Sequence, residues 1–416
     1  MLVPRMDSTA RNAILNPAVG LLVYDSTTTT FWYYDELRWN EIRNGSQTVG
    51  IQDLVENYSA EDCLEEKASL NIMPSTNDIA LDSNFAYIIG GGSLKVIDIT
   101  NPSQLVESGS IATTSSARYI DVANNYAYIV DENQEAFNVI DVSDVNNLSI
   151  VGTLNFGTDP QDVVVSGNYA YVLEARFAIG VVDVSDPMDP TDISFFDGLN
   201  GGGGANGIAL AGNYLYVVDG SSNDLRIVDI SNPLSLSLTG SLTVGDFPTA
   251  VAASGDYAYV VDSDSDDLKV INVSNPASPM LIASLPIGDE PTSVAVAGNT
   301  VYVVDTNSDD IKAIDVSDPT TPSLKASLPI GTHPNLVVTD EFFAYVVDSD
   351  SDDLKSIGAC NELLNVDGAT GAIQSTPIKE ITAIETLVDT DEDTKIQVEE
   401  SEDEDIIRFD VAGEEK

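Results

Sequence analysis

Short runs of alternating apolar and polar residues recur along most of the chain, and turn-forming residues separate them. In residues 291–332 the run SVAVAG leads through a Gly-Asn turn to TVYVVD, an acidic turn, IKAIDV, the turn SDPTTP and SLKASLPI. Alternation with many β-branched residues is typical of β-strands, and nothing in this stretch has the period of a helix. The pattern predicts a unit of four strands.

This unit recurs along the chain with a nearly constant period. Its second strand reads YIIG, YIVD, YVLE and then YVVD four times, and it begins at Tyr87, Tyr128, Tyr171, Tyr216, Tyr259, Tyr302 and Tyr345. Four strands in about 43 residues are typical of a propeller blade, whereas the coils of a β-solenoid are shorter. We therefore predict an all-β fold, a seven-bladed β-propeller of four-stranded blades with small β-rich extensions at both ends.

The seventh copy lacks a fourth strand in register after LKSIGAC. Ahead of the first copy, KASLNI at residues 67–72 closely matches KASLPI at residues 325–330, the fourth strand of the sixth copy. An open ring would leave two exposed sheet edges. We predict that residues 67–72 supply the outer strand of the last blade and close the ring.

The two cysteines fall at matched positions around this closure. By alignment with the sixth copy, Cys360 takes the place of Ser317 and Cys63 that of Thr321, both on the turn between third and fourth strands. A disulfide between Cys63 and Cys360 would replace the turn that the composite blade lacks, and would indicate an oxidising, extracellular setting. The alternative is two unrelated free thiols.

The third strands carry a recognisable motif. LKVIDITNP (94–102), LRIVDISNP (225–233), LKVINVSNP (268–276) and IKAIDVSDP (311–319) resemble the LVIVD repeat of bacterial and archaeal cell-surface propellers. The resemblance covers residues 67–360, although copy two ends VSDVNN and copy seven reads SIGAC. It implies extracellular display, and the family brings no assigned catalytic residues.

The flanks also resemble parts of modular surface proteins. Residues 11–43, with GLLVYDS and FWYYDELRWNEI, resemble an aromatic β-hairpin module of surface and tail-fibre-like proteins, and DTKIQVEE and DIIRFDVAG resemble hairpins that precede trimerisation segments. Trp32, Tyr33, Tyr34 and Trp39 are candidates for a carbohydrate platform, while a small core or docking face is the favoured alternative. The predicted domains are a module at 1–50, a linker at 51–66, the propeller at 67–360 and an acidic extension at 361–416.

Charge narrows the range of partners. The chain has 17 Lys and Arg against 68 Asp and Glu, a net charge of -51, so its surface repels phosphate backbones and anionic lipid. No apolar run approaches the ~20 residues that span a bilayer, and the start lacks a Sec-type signal. We predict no nucleic-acid partner, no membrane insertion, and an extracellular or cell-surface location without a recognisable signal peptide.

Part of this acidity lies in the turns between second and third strands of the later copies. The spacing in DSDSDD suggests calcium, which takes oxygen ligands, but the Gly and distal Glu of an EF-hand loop are missing. A solvated acidic rim is therefore favoured, with calcium as the alternative and no other cofactor expected. The candidate ligands would be Asp262, Asp264, Asp266, Asp305, Asp309, Asp348, Asp350 and Asp352.

No catalytic constellation stands out in the sequence. His333 is the sole histidine and lies on a link between blades, and no G-x-S-x-G motif accompanies it. We therefore predict a non-enzymatic extracellular or fibre-borne propeller for adhesion, receptor recognition or assembly. It would bind a surface protein or glycan and oligomerise through its termini. The alternatives are a structural subunit of a filament and a polysaccharide-acting hydrolase or lyase.

Overall fold

The computed structural model describes residues 63–359 except 157–159, 175–177, 200–204 and 341, together with the backbone of short strands within 5–42 and 362–411. The chain divides into two compact units. Residues 63–359 form the larger one, and residues 1–62 with 360–416 form the other. Within the described residues, no helix is long and apolar enough to cross a membrane.

Seven four-stranded antiparallel sheets make up the larger unit, which confirms the predicted seven-bladed β-propeller. Blades one to three comprise Thr76–Asp82, Phe85–Gly90, Ser93–Asp98 and Val106–Ala112; Ala117–Ala123, Tyr126–Asp131, Ala136–Asp141 and Ser149–Asn155; and Pro160–Ser166, Tyr169–Glu174, Ala178–Asp183 and Thr191–Phe196. Blades four and five comprise Ala205–Ala211, Tyr214–Asp219, Asp224–Asp229 and Ser237–Thr243; and Pro248–Ser254, Tyr257–Asp262, Asp267–Asn272 and Met280–Pro286. Blades six and seven comprise Pro291–Ala297, Thr300–Asp305, Asp310–Asp315 and Ser323–Pro329; and Pro334–Thr339, Phe343–Asp348, Asp353–Ala359 and Leu64–Asn71.

The seventh blade is composite. Its outer strand, Leu64–Asn71, pairs antiparallel with Asp353–Ala359, and this strand contains most of the segment 67–72 that the sequence assigns to closure. Just beyond it, the Ile72 N–H donates to the carbonyl of Asp352 at 2.8 Å. The Ser356 hydroxyl donates to the Pro102 carbonyl of the first blade. Strand pairing and this hydrogen bond therefore tie the last blade to the start of the ring.

The hydrophobic core lies in the seams between blades. Each of the seven seams holds a cluster of buried apolar side chains from the two blades that flank it. In the closing seam, Tyr345 and Val347 of the seventh blade pack with Ile88 and Ile97 of the first. Neighbouring blades thus cover both faces of each blade around its second strand. The second strands are therefore apolar nearly throughout.

The polar residues at the end of the LVIVD motif form two successive turns in which a side-chain oxygen accepts a backbone N–H two residues ahead. In the sixth blade the Asp315 carboxylate accepts the Ser317 N–H at 2.8 Å, and the Asp318 carboxylate accepts the Thr320 N–H at 3.0 Å. Hydrogen bonds from Ser317 lower the pKa of Asp315 below its usual value. The same bond to the residue two positions ahead recurs at Asp98, Asp141, Asp183, Asp229 and Asn272. Asp and Asn are therefore required here by turn chemistry.

The flanking unit contains strands as predicted for β-rich ends. Arg5–Met6, Leu22–Asp25, Thr30–Tyr34 and Trp39–Ile42 form one sheet, Glu362–Val366 pairs with Ile373–Pro377, and Thr386–Val388, Thr394–Ser401 and Glu404–Val411 form another sheet. The side chains of Trp32, Tyr33, Tyr34 and Trp39 lie outside the described residues. The carbohydrate platform and the predicted domain bounds thus stay predictions.

Candidate functional site: the acidic loop face and the ring centre

The acidic turns of blades five to seven lie against the links that enter the same blades. Backbone N–H groups of Ser263, Thr306 and Ser349 donate to the link carbonyls of Phe247, Glu290 and His333 at 3.3, 3.4 and 3.3 Å. Turn and link therefore share one face of the ring, which we call the acidic loop face: residues 245–247 with 263–266, 288–290 with 306–309, and 331–333 with 349–352.

The first aspartate of each acidic turn is inside the protein. Asp262, Asp305 and Asp348 are each 0% exposed. Their carboxylates accept N–H groups of the turn that follows, as from Ser308 to Asp305 at 3.0 Å and from Ser351 to Asp348 at 3.2 Å. These buried aspartates therefore hold the backbone of the turn in place through hydrogen bonds.

A buried cation from the third strand faces each of these carboxylates. Lys269 Nζ lies 3.5 Å from Asp262 Oδ2, Lys312 Nζ lies 3.2 Å from Asp305 Oδ2, and Lys355 Nζ lies 2.8 Å from Asp348 Oδ2. In the fourth blade the Arg226 guanidinium lies 2.7 Å from Asp219. Each of these four blades thus pairs its buried carboxylate locally, as buried charges require.

The distance to lysine separates two otherwise matched carboxyls. Burial raises the pKa of Asp262 above its usual value, and Lys269, at 3.5 Å, does not offset it. Burial also acts on Asp348, but hydrogen bonds from Lys355 and Ser351 outweigh it and hold the pKa of that carboxyl below its usual value. The closer lysine and the hydrogen bonds from Ser351 lower the pKa of Asp348, whereas the charge of Asp267 adds to the rise at Asp262.

Glycine in each link covers the ion pair. Gly245, Gly288 and Gly331 have φ of +142°, +137° and +131°. A Cβ at these positions would lie 1.9, 2.0 and 1.9 Å from the carboxylate oxygens of Asp262, Asp305 and Asp348. Only glycine allows the backbone to approach this closely in that conformation.

The remaining acidic candidates tie neighbouring blades together or face solvent. Asp266 and Asp309 accept the N–H groups of Glu290 and His333 in the following link, both at 3.1 Å. Asp352 supplies the carbonyl that binds Ile72. Asp264 is exposed, and exposed Asp350 contacts His333 Nδ1 at 2.8 Å.

The candidate calcium ligands therefore do not converge. The first carboxylate of each loop is directed inward to lysine. Of the other candidates, Asp266 and Asp309 bind the next link, whereas Asp264 and Asp350 face solvent. Across the described part of the chain, no three His, Cys, Asp or Glu side chains are arranged to hold a metal ion. Calcium binding stays a prediction, and the geometry supports a rigid anionic surface.

A second group of carboxylates, which sequence reasoning missed, lies at the ring centre. The first strands of neighbouring blades contact each other there. Asp78, Asp121 and Asp162 lie on the first strands of blades one, two and three, and each also accepts an N–H from the next blade. The donors are Ile120 at 2.9 Å, Val165 at 2.7 Å and Ile208 at 3.3 Å.

These central carboxyls resist ionisation. Burial raises the pKa of Asp162 to about 7 and that of Asp121 to about 6. Burial together with the charge of Asp162 raises the pKa of Asp78 well above its usual range. The sequence does contain a signal for these carboxyls. NDIAL, YIDVA and QDVVV each place one Asp in a first strand, at positions where copies four to seven have apolar or small residues.

One of the two cysteines can be followed in the structure. Cys63, just before the closing strand, is disulfide-bonded. Cys360, the other cysteine of the sequence, lies outside the described residues. The pairing of Cys63 with Cys360 thus stays a prediction.

Comparison with solved structures supports the fold. The chain is similar to hydrazine synthase of Kuenenia stuttgartiensis (16% identity, 69% of this chain, 96% of that chain, TM-score 0.56). It is also similar to a Bacteroides uniformis protein described as a 6-phosphogluconolactonase (14% identity, 71% and 96% coverage, TM-score 0.58). A computationally designed protein, Ika8, matches at 13% identity with 70% and 99% coverage and a TM-score of 0.53. Identities this low show the fold alone.

Family comparison is more specific. No curated protein is similar enough in sequence to be matched. A phage tail like trimerisation region matches residues 1–54. The LVIVD repeat matches residues 75–113, 115–155, 157–197, 202–244, 249–285 and 290–328, together more than half of the chain. The chain therefore belongs to the LVIVD-repeat family.

Proposed function

We propose that this protein is a non-enzymatic, extracellular or fibre-borne propeller that presents its ring to a surface protein or glycan, with three copies joined through the N-terminal region. The observation that carries the proposal is the combination, in one chain, of LVIVD repeats with a match to a phage tail like trimerisation region. The disulfide at Cys63 supports an oxidising, extracellular setting.

The acidic loop face supports a role in recognition. Its buried aspartates are held by lysines and turn amides, so the surface above them is rigid before any partner arrives. Exposed groups on this face include Asp246, Asp264, Asp289, Glu290, Asp350, His333 and Phe247. A partner with basic or hydrogen-bond-donating groups is complementary to such a surface.

Two other functions compete with this one. A filament subunit would use the same β-rich ends to polymerise without limit. A polysaccharide-acting enzyme would fit the fold, since propellers serve both enzymes and binding modules. The exposed carboxylates of the acidic loop face, such as Asp264 and Asp350, are candidate groups for such an activity.

Light scattering of the full chain tests the assembly. We expect a mass of three 44.2 kDa chains that does not change with protein concentration. A monomeric mass would contradict the trimer. A mass that grows with concentration, with filaments visible by electron microscopy, would favour the filament subunit.

A glycan and surface-protein array followed by a product assay tests recognition. We expect the full chain to retain a subset of ligands and to release no shortened product from them. A matched variant, Asp264→Asn with Asp350→Asn, should weaken retention if the acidic loop face makes the contact. Product formation that the same variant abolishes would identify an enzyme and contradict the non-enzymatic role.

A further inference from the structure

One register position on the outer strands is apolar in three consecutive blades along one side of the ring. This position lies opposite a buried Ile or Val of the third strand in every blade. It is acidic in blades one, three and seven and apolar in blades two, four, five and six. The residues in blade order are Glu107, Ile150, Asp192, Leu238, Leu281, Leu324 and Glu66.

The apolar residues are exposed at the rim. Leu238, Leu281 and Leu324 are 39%, 44% and 52% exposed, and Met280 beside Leu281 is 59% exposed. They belong to three consecutive blades, so they occupy one side of the ring, which we call the leucine flank. Ile150 is equally exposed, at 50%, but it stands between the acidic blades one and three.

The outer strands of the leucine flank carry no negative charge. The strands Ser237–Thr243, Met280–Pro286 and Ser323–Pro329 hold no Asp or Glu and a single cation, Lys325. The outer strand of blade two, Ser149–Asn155, also holds none, but it lies between blades whose outer strands carry Glu107 and Asp192. Outer strands are normally protected by charge against pairing with other chains, as blades one, three and seven are.

The flank's composition favours another copy of the same protein as its partner. Chains of net charge -51 repel each other, so two copies can approach closely only where carboxylates are absent. A trimerisation region would hold three rings at high local concentration, where a modest apolar contact suffices. Threefold symmetry can bring the same side of all three rings to a common axis.

We propose that the leucine flank of blades four to six is the surface through which the rings of a trimer contact each other. This inference rests on the trimer of the proposed function. The contact uses the outer rim and leaves the acidic loop face open to a partner.

Site-specific photocrosslinking in the full chain tests this interface. The probe is Leu281→p-benzoylphenylalanine, and the matched control is Ile150→p-benzoylphenylalanine, at the same register in blade two. We expect irradiation to give covalent multimers from position 281 and none from position 150. The multimers should map to fourth strands of blades four to six in another copy. Adding Leu238→Glu and Leu324→Glu should abolish them while light scattering still gives three copies.

The outcomes separate the two proposals. A trimer without crosslinks from position 281, or with crosslinks only to the same chain, would overturn the interface and leave the trimer intact. Crosslinks of equal yield from both positions would also overturn it, because contact between copies would then not be specific to the leucine flank. A monomeric mass would overturn both.

Discussion

At the residue scale, glycine links and buried lysines explain why the acidic turns tolerate so much negative charge. Asp305 and Lys312 are in contact under Gly288, and the turn amides bind the same carboxylate. The ion pair is sealed from water by backbone, so its geometry depends on the absence of a side chain above it.

Replacing this glycine should be costly. We expect Gly288→Ala to lower the free energy of unfolding by about 3 kcal/mol, because its Cβ would collide with the Asp305 carboxylate. Gly298→Ala is the matched control, since its φ is +54° and its Cβ would meet nothing within 4 Å. That change should cost about 1 kcal/mol, for backbone strain alone. Urea denaturation measures both, and equal costs would refute the role of the close approach.

The central carboxyls make stability depend on pH in a definite direction. A carboxyl whose pKa is raised on folding stabilises the fold while it is protonated, and this contribution is lost as the pH rises through the folded value. For Asp162 the window runs from an unfolded value of about 4 to a folded value of about 7. Carboxyls with a lowered pKa, such as Asp315, change the free energy of unfolding only at more acidic pH. They therefore do not contribute to the pH dependence within this window.

Asp162→Asn isolates this effect. We expect the fall in melting temperature between about pH 5 and pH 8 to be smaller in the variant than in the parent chain, because the amide does not ionise. Asp192→Asn removes an exposed carboxylate from the same blade and should leave the pH dependence unchanged. If both variants follow the parent profile, the raised pKa of Asp162 is not a determinant of stability.

At the element scale, closure of the ring depends on a strand that comes from the other end of the chain. Leu64–Asn71 pairs along the whole third strand of the seventh blade, and Cys63 immediately precedes it. A covalent bond at this point would prevent the closing strand from separating.

Reduction should therefore weaken the ring. If Cys63 pairs with Cys360, the bond closes a loop of nearly 300 residues, and its loss should cost up to about 5 kcal/mol. Melting temperatures with and without a reductant measure the effect, and Cys63→Ser should reproduce it. Equal masses of the alkylated protein before and after reduction would contradict the bond.

At the scale of the whole molecule, charge repulsion should respond to salt more than to any particular cation. We expect the melting temperature to rise with sodium chloride, because a net charge of -51 is screened. Calcium at matched ionic strength should add nothing further, since Lys269, Lys312 and Lys355 already lie beside the inward carboxylates. An extra rise with calcium that EDTA reverses would instead support the calcium site.

The sequence by itself determined the number of blades, the strand order and the segment that closes the ring. These features rest on local periodicity and on a repeat that can be compared with itself, as KASLNI can with KASLPI. Turn chemistry was readable for the same reason, because the Asp315 turn involves residues only two positions apart.

Only the tertiary structure decided what the carboxylates do. Asp78, Asp121 and Asp162 lie 41 to 43 residues apart in sequence and meet only because seven first strands converge on one axis. The acidic turns looked like clustered ligands, but Asp305 is directed inward to Lys312 and Asp309 to the next link. The direction and partners of a charged side chain depend on neighbouring strands and links, which local pattern does not specify.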